Sequence, residues 1–412
     1  MKKSFTTRSL HVPFSKIDAH RALDMPVYES VAYDFETAED MVDNFSGRLP
    51  AHVYSRSSNP TVEYFEQKMK ALTGAHQALA VASGMAAISN TILAICKSGD
   101  NIISGNHLFA HSYALLDHSL RNYGLESRFV DTTDADAVEK LVDKNTRAIY
   151  FETVTNPQLE IADISKLAAI ARKYDLVLIA DSTVTPPVIF NGRFHGIDIE
   201  VMSTTKHISG GGTSFGGVIL DHGSYNWSLN PNLKSFSIKF EKDAFIARLR
   251  KNYFRNTGGA MSAHTAHYQI MGLDILELRF ERSYENCLKL GEFLSQHSLV
   301  TNVTYPGLKD SAGYELAVTQ FEGKPGTILT FELESEAACF TFMNHLRTIR
   351  RATNLNDNKS LIIHPWSTIY AEFTEEERLA MKISPTAVRL SVGIEAAADL
   401  IEDIESALGA LD

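Results

Sequence analysis

Between residues 78 and 220 the chain alternates between short apolar runs and longer amphipathic ones. The runs ALAVAS (78–83), NIISG (101–105), SRFVD (127–131), RAIYFET (147–153), LVLIADS (176–182), IEVMST (199–204) and GGVIL (216–220) predict β-strands. Among them, MAAISNTILAICK (85–97), DADAVEKLVDK (134–144) and ISKLAAIARKY (164–174) carry apolar residues at helical spacing. Strands that are apolar almost throughout, alternating with helices, predict an α/β fold. Its sheet is mostly parallel, seven-stranded and covered on both faces. Ligands of such sheets bind at the carboxyl ends of the strands.

Outside this region the pattern changes. Residues 1–56 are irregular, in stretches such as MPVYESVAYDF and FSGRLPAHVYSRSSNPT, and predict an extended arm with a small helix. After about residue 250 a long helical stretch (278–298) precedes GTILTFEL (326–333), a helix near 336–348, AVRLSVGIE (387–395) and a final helix. The expected organisation is therefore an arm over 1–56, an α/β domain over 57–250 and a smaller α+β domain over 251–412.

Composition narrows the function. The 412 residues are 44% hydrophobic and 22% charged, with a net charge of −11 and no basic block, which argues against nucleic acid or an anionic membrane as partner. No apolar run reaches the roughly 20 residues of a membrane span, and the first residues lack the apolar core of a secretory signal. The three cysteines, Cys96, Cys287 and Cys339, are widely spaced and read as thiols of a reducing, cytoplasmic compartment. The pair His264 and His267 in HTAH lacks the acid of H-E-x-x-H, so no metal is expected.

The densest chemistry lies in STTKHISGGGTSFGG (203–217). Ser203-x-x-Lys206 matches the serine nucleophile motif of penicillin-binding enzymes. That motif needs S-x-N and K-[ST]-G later in the chain, whereas SSN (57–59) and KSG (97–99) come earlier. The alternative is that Lys206 reacts, with Ser203 and Thr205 holding a phosphate beside it. VASGMAAI (81–88) offers a second phosphate cup, where a strand ends at Ser83-Gly84 and a helix opens at Met85. Asp181 closes the apolar run LVLIAD, where a carboxylate needs a cationic or protonated partner. An acid, a lysine and two phosphate-type sites at one sheet edge suit pyridoxal phosphate (PLP). The lysine carries the cofactor, the acid keeps its ring nitrogen protonated, and hydroxyls and a helix N-terminus take the phosphate.

Over about residues 25–400 the chain resembles the trans-sulfuration enzymes of cysteine and methionine metabolism, PLP enzymes of fold type I. The shared stretches, in order, include YSRSSNPT, SGMAAI, ETVTNP, IADSTVTPP, STTKHISGGG, YPGL, SLIIHP and VRLSVGIE. The resemblance implies that Lys206 carries the cofactor, Asp181 pairs with its ring nitrogen, and Gly84, Met85, Ser203 and Thr205 bind its phosphate. It implies that Asn156 meets the phenolic oxygen and that Arg389 grips the substrate carboxylate as a two-pronged fork. Tyr54 and Arg56 would reach the phosphate of a neighbouring subunit, within a homotetramer built as a dimer of dimers.

Within the family, GGTSFGGVILDHGSYNW (211–227) and KSLIIHPWST (359–368) look like the O-acetylhomoserine sulfhydrylases. Several positions depart from the family pattern. In HLFAHSYAL, Phe109 stands where a tyrosine usually stacks on the cofactor; Tyr54 and Tyr113 are the alternative hydroxyls. His111 stands where methionine-degrading lyases have a cysteine, and it reads as a polar wall or as a group acting on incoming sulfur. Asn354 replaces a common serine of the substrate-carboxylate loop, and Ser182 replaces an asparagine. A ring-stacking residue without a hydroxyl favours expulsion of a carboxylate over a thiolate. The expected reaction is γ-replacement on O-acetyl-L-homoserine by a sulfur donor, giving homocysteine and acetate, with Lys206, Phe109 and Tyr54 as the catalytic set. The other readings are a methionine γ-lyase, a cystathionine γ-synthase, an O-succinylhomoserine sulfhydrylase or, remotely, a non-catalytic PLP-binding regulator. The sulfur donor, free or carrier-bound, stays open.

Overall fold

The computed structural model describes residues 3–14 and 18–411. Its larger sheet contains the seven expected strands: β1 (Gln77–Val81), β2 (Asn101–Gly105), β3 (Glu126–Val130), β4 (Thr146–Glu152), β5 (Val177–Asp181), β6 (Ile199–Ser203) and β7 (Gly217–Asp221). Their order across the sheet is β1-β7-β6-β5-β4-β2-β3, and β7 alone runs against the rest. The carboxyl ends of β1, β2, β4, β5 and β6 therefore meet at one edge.

Both faces of this sheet are buried, which explains the near-continuous apolar strands. Alternate residues of β4 belong to different cores: Ala148 and Tyr150 pack with Ile88, Ile92 and Val201, whereas Ile149 and Phe151 pack with Leu167, Ile170 and Leu178. Helix Gly84–Ile95 covers the first face and helix Ile164–Lys173 the second. Asn59 is the N-cap of helix Pro60–Thr73, accepting the Thr61 N–H at 2.9 Å, with proline at the first helical position. SSN (57–59) is thus a helix start.

The smaller sheet contains β8 (Asn302–Thr304), β9 (Ile328–Glu332), β10 (Arg350–Arg351), β11 (Leu361–Ile363) and β12 (Ala387–Ser391), in the order β10-β11-β12-β9-β8. Val388 and Leu390 of its central strand, and Val392 just past its end, pack with helices Leu276–Gln296, Glu336–His345 and Ala397–Leu408. Arg389, at the intervening position, faces the other way, towards the larger sheet.

The first 56 residues are more structured than the irregular pattern suggests. Helix Phe5–Leu10 packs on its own chain: Phe5 is buried beside Val62, Phe65 and Met69, Thr6 bonds Glu277, and Ser9 bonds Asp274. Helix Ala38–Phe45 buries none of its residues, and Phe45 is 71% exposed. The helical run Ala244–Thr257 continues across residue 250, with Phe254 in the first core.

Candidate active site

Three strands end in chemistry at the common edge. β4 delivers Glu152, β5 delivers Asp181 and β6 delivers Ser203, with Lys206 in the turn that follows. Beside them, Ser83 caps helix Gly84–Ile95 by accepting the Ala86 N–H at 3.1 Å. The N–H groups of Gly84 and Met85 lie in the first helical turn, where no intrahelical acceptor exists. A Cβ on Gly84 would stand 2.6 Å from the Ser203 Cβ, so only glycine lets the helix start approach β6 this closely.

These groups line a cavity of about 360 Å3. Gly84, Met85, Asn156, Asp181, Ser203, Thr205, Lys206 and Arg389 all face it, as do Phe109 and His111 from the loop after β2. Ile88, Val154, Val184, Leu355 and Ile369 give it apolar walls. Phe109 and His111 meet edge to face, with ring centres 5.1 Å apart.

The charges around the cavity are not balanced by the chain. Arg389 is buried, and its guanidinium reaches only neutral oxygens: Asn156 Oδ1 at 3.1 Å, the Thr353 carbonyl at 3.3 Å and the Asn354 carbonyl at 3.1 Å. Its Nε has no partner among the described residues. Burial pulls the guanidinium down to about 10. Asp181 accepts the N–H and hydroxyl of Thr183 at 3.0 and 2.6 Å, and the Tyr150 hydroxyl at 3.4 Å. Burial nevertheless holds its carboxyl above the ordinary aspartate value, and no basic side chain is among the groups acting on it. Glu152, its register partner on β4, is raised further by burial and by Asp181 itself. The chain thus presents a cation seeking an anion and a carboxyl seeking a cation, across one cavity.

Lys206 stands between them. Its Nζ donates to Asn354 Oδ1 at 2.7 Å, and burial first, then Arg389, lowers it to about 8. At that value roughly a tenth of the amines are neutral at pH 7, against fewer than about one in a thousand for an ordinary lysine.

The family described as Cys/Met metabolism PLP-dependent enzyme matches residues 6–409. The chain belongs to that family. Its cofactor is pyridoxal phosphate. It is 36% identical to the L-methionine gamma-lyase of Pseudomonas putida over 408 residues, 98% of this chain and 97% of that one. The crystal structure of an assigned O-acetylhomoserine (thiol)-lyase from Campylobacter jejuni, carrying a pyridoxyl-lysine phosphate, superposes with a TM-score of 0.94 at 32% identity, over 99% of this chain and 100% of that one. The O-acetylhomoserine sulfhydrylase of Wolinella succinogenes is 43% identical, with a TM-score of 0.77 over 86% of this chain and 99% of that one.

The cavity fits such a cofactor. The free N–H groups at Gly84 and Met85 and the Ser203 hydroxyl suit a phosphate. Asp181 suits a protonated ring nitrogen. Thr205 is already engaged, accepting the Gly216 N–H at 3.1 Å, so its hydroxyl also ties the glycine-rich loop to the site.

Other sequence-predicted residues lie elsewhere. Tyr54 and Arg56 are not in this cavity; Arg56 stacks on Tyr54 at 5.5 Å and bonds the Arg255 carbonyl. Tyr113 stacks on Phe129 at 4.3 Å, away from the cavity lining. Ser182 turns from the cavity to bond Glu200 at 2.6 Å. Asn354 borders the cavity rather than lining it, giving its carbonyl to Arg389 and its side chain to Lys206. His264 bonds Glu29. Among the described residues, the histidine and acids near enough to share an ion are His107, Asp131 and Glu160, and Lys382 already bridges the two carboxylates.

The sequence reading missed Glu152 and Tyr370. Glu152 carried the signal used for Asp181, a carboxylate closing an apolar strand run, in RAIYFE. Tyr370 gave no local signal.

The lowered amine generates a pH prediction. Capture of pyridoxal phosphate by the cofactor-free protein needs neutral Lys206, so its rate should rise with pH and level off above about 8. Arg389→Gln removes a repelling charge and should move that midpoint upward, as stopped-flow absorbance would show.

Proposed function

We propose that the chain catalyses γ-replacement on O-acetyl-L-homoserine by a sulfur nucleophile, releasing acetate and giving homocysteine with sulfide. The observation that carries this reading is Phe109: among the described residues of the chain, no phenol lines the cavity. The overall identities do not discriminate, since a lyase and two sulfhydrylase-type proteins resemble the chain comparably. A methionine γ-lyase is therefore the second reading, supported by the 36% identity to the Pseudomonas enzyme.

Arg389 is the assigned fork for the substrate carboxylate, which would supply the missing counter-charge. Asp181 would hold positive charge on the ring nitrogen, and Phe109 would stack on the ring. When bound, pyridoxal phosphate supplies the electron sink that stabilises negative charge on the substrate carbon beside the amine. Lys206, lowered to about 8 and close to Arg389, is suited to take the Cα proton and to move protons at Cβ. Acetate departs from Cγ with the C–O electron pair, and the sulfur nucleophile forms the new bond at the same carbon. Expelling acetate, the base of an acid with pKa near 4–5, needs little proton assistance. Expelling a thiolate, the base of an acid with pKa of about 8–9, benefits from a general acid, which Phe109 at the ring-stacking position cannot be.

The side chains of Tyr54 and Arg56 lie outside the cavity of their own chain, and the nearby helix Ala38–Phe45 is wholly unburied. These facts support an assembly in which the arm of one subunit completes the site of another, as in the tetramer the family resemblance implies.

Product analysis with O-acetylhomoserine plus sulfide should show homocysteine and acetate. Turnover of methionine at an equal rate would overturn the assignment. Lys206→Ala should abolish both turnover and the visible absorbance of the lysine-linked cofactor. Phe109→Tyr should raise methionine or cystathionine cleavage relative to the acetyl ester by about 10- to 100-fold, within the range of general-acid assistance. Hybrid oligomers of Lys206→Ala and Arg56→Ala should regain activity that neither variant has alone; no recovery would make each site self-contained.

A further inference from the structure

Glu152 lines the cavity, yet the reaction above gives it no part. It ends β4 in register with Asp181, and its carboxyl is buried. Its Oε1 accepts the Phe109 N–H at 2.7 Å, and the Asn156 N–H lies near enough to favour the ionised carboxyl. No basic side chain is among the groups acting on it. Tyr370 makes the complementary contact. Its buried hydroxyl lies 3.0 Å from the Leu108 carbonyl and 3.1 Å from the Asn156 carbonyl. The carboxyl at the end of β4 therefore holds the loop that carries Phe109, and the hydroxyl bridges that loop and the loop of Asn156, which follows β4.

Each loop carries a group aimed into the cavity. The first carries Phe109 and His111. Phe109 precedes helix Ala110–Ala114 without a side-chain cap, and its carbonyl accepts from the Ser112 and Tyr113 N–H groups. With the carbonyl fixed by the helix and the N–H fixed by Glu152, the backbone that carries the Phe109 ring is held from both sides. The second loop carries Asn156, whose Oδ1 receives an N–H of Arg389 at 3.1 Å.

We propose that Glu152 is a positioning residue: with Tyr370 it ties the ring-stacking loop to the loop that braces Arg389. The spacing between the Phe109 ring and the Arg389 fork is then one mechanical quantity, set by this carboxyl through the main chain. The role needs an acceptor of glutamate's length at the end of β4. Glutamine retains that reach, aspartate is one methylene too short, and alanine lacks the acceptor.

The test uses readouts that need no substrate, so it stands apart from the identity of the acyl-homoserine. Circular dichroism of the bound cofactor reports how the ring is held, and titration of cofactor-free protein gives cofactor affinity. Glu152→Gln should keep both within about threefold of the unaltered holoenzyme. Glu152→Asp and Glu152→Ala should at least halve the cofactor band and weaken affinity tenfold or more. Tyr370→Phe should move both readouts in the same direction. With O-acetylhomoserine as substrate, the aspartate variant should raise KM at least tenfold while the glutamine variant raises it less than threefold. If glutamine proves worse than aspartate, the carboxylate's charge matters rather than its reach, and the proposal fails. It fails equally if Glu152→Asp leaves band and affinity unchanged. Should the alanine variant not fold, the aspartate–glutamine comparison decides alone.

Discussion

A guanidinium and two carboxyls lie buried around one cavity, and none of them is bonded to a counter-charge among the described residues. Arg389 reaches only neutral oxygens, while Asp181 and Glu152 sit side by side without a cation. Leaving such groups unpaired costs several kcal/mol each in an isolated protein. In the proposed reaction that cost is not structural waste, because the substrate carboxylate would pair with Arg389 and the protonated cofactor ring with Asp181. The apolar walls of the cavity strengthen each interaction by lowering the local polarity. They also produce the lowered lysine, since the burial that raises the carboxyls pushes Lys206 down.

Strand parity is what keeps this charge pattern in place. On β12, Val388 and Leu390 enter the core of the smaller sheet, so Arg389 must face the larger one. A slip of one residue would drive the guanidinium into that core and turn the apolar side chains to the cavity. On β4 and β5 the constraint is different, because both faces are buried. There the acids Glu152 and Asp181 are admitted at the carboxyl ends, where the sheet stops. Thr183 then links the two neighbouring strand ends, donating to Asp181 at 2.6 Å and accepting the Ser203 N–H at 2.9 Å.

The seven strands of the larger sheet were legible because each is an apolar run bounded by turns or helices. Lys206 and Asp181 were legible for a related reason, as polar residues at the ends of such runs. Glu152 had the same signature but no recognised chemistry of its own, so its run was read as a strand and nothing more. Tyr370 acts through a fold contact with Leu108, 262 residues away in sequence, and no local pattern encodes that pairing. The amphipathic pattern overestimated some helices: the stretch 134–144 is helical only over Ala135–Lys140. The first residues were underestimated, because helix Phe5–Leu10 is stabilised by packing against residues far along the chain rather than by its own periodicity.

A shared frame with divergent specificity is the expected outcome of this arrangement. Holding the ring, the phosphate and the substrate carboxylate requires groups that any γ-reaction on this cofactor would use. Chemistry at Cγ is decided farther out, beside Phe109 and His111. A thiol is a weaker acid than a carboxylic acid by about four to five pKa units, equivalent to about 6 kcal/mol between the two leaving groups when fully developed. A general acid contributes about 10²–10⁴ in rate, or roughly 3–5 kcal/mol. The two magnitudes are comparable, so one hydroxyl at the ring-stacking position is enough to shift preference between leaving groups. Sequence identity averaged over some 400 positions is insensitive to that atom, so resemblance to a lyase and to sulfhydrylases alike does not depend on it.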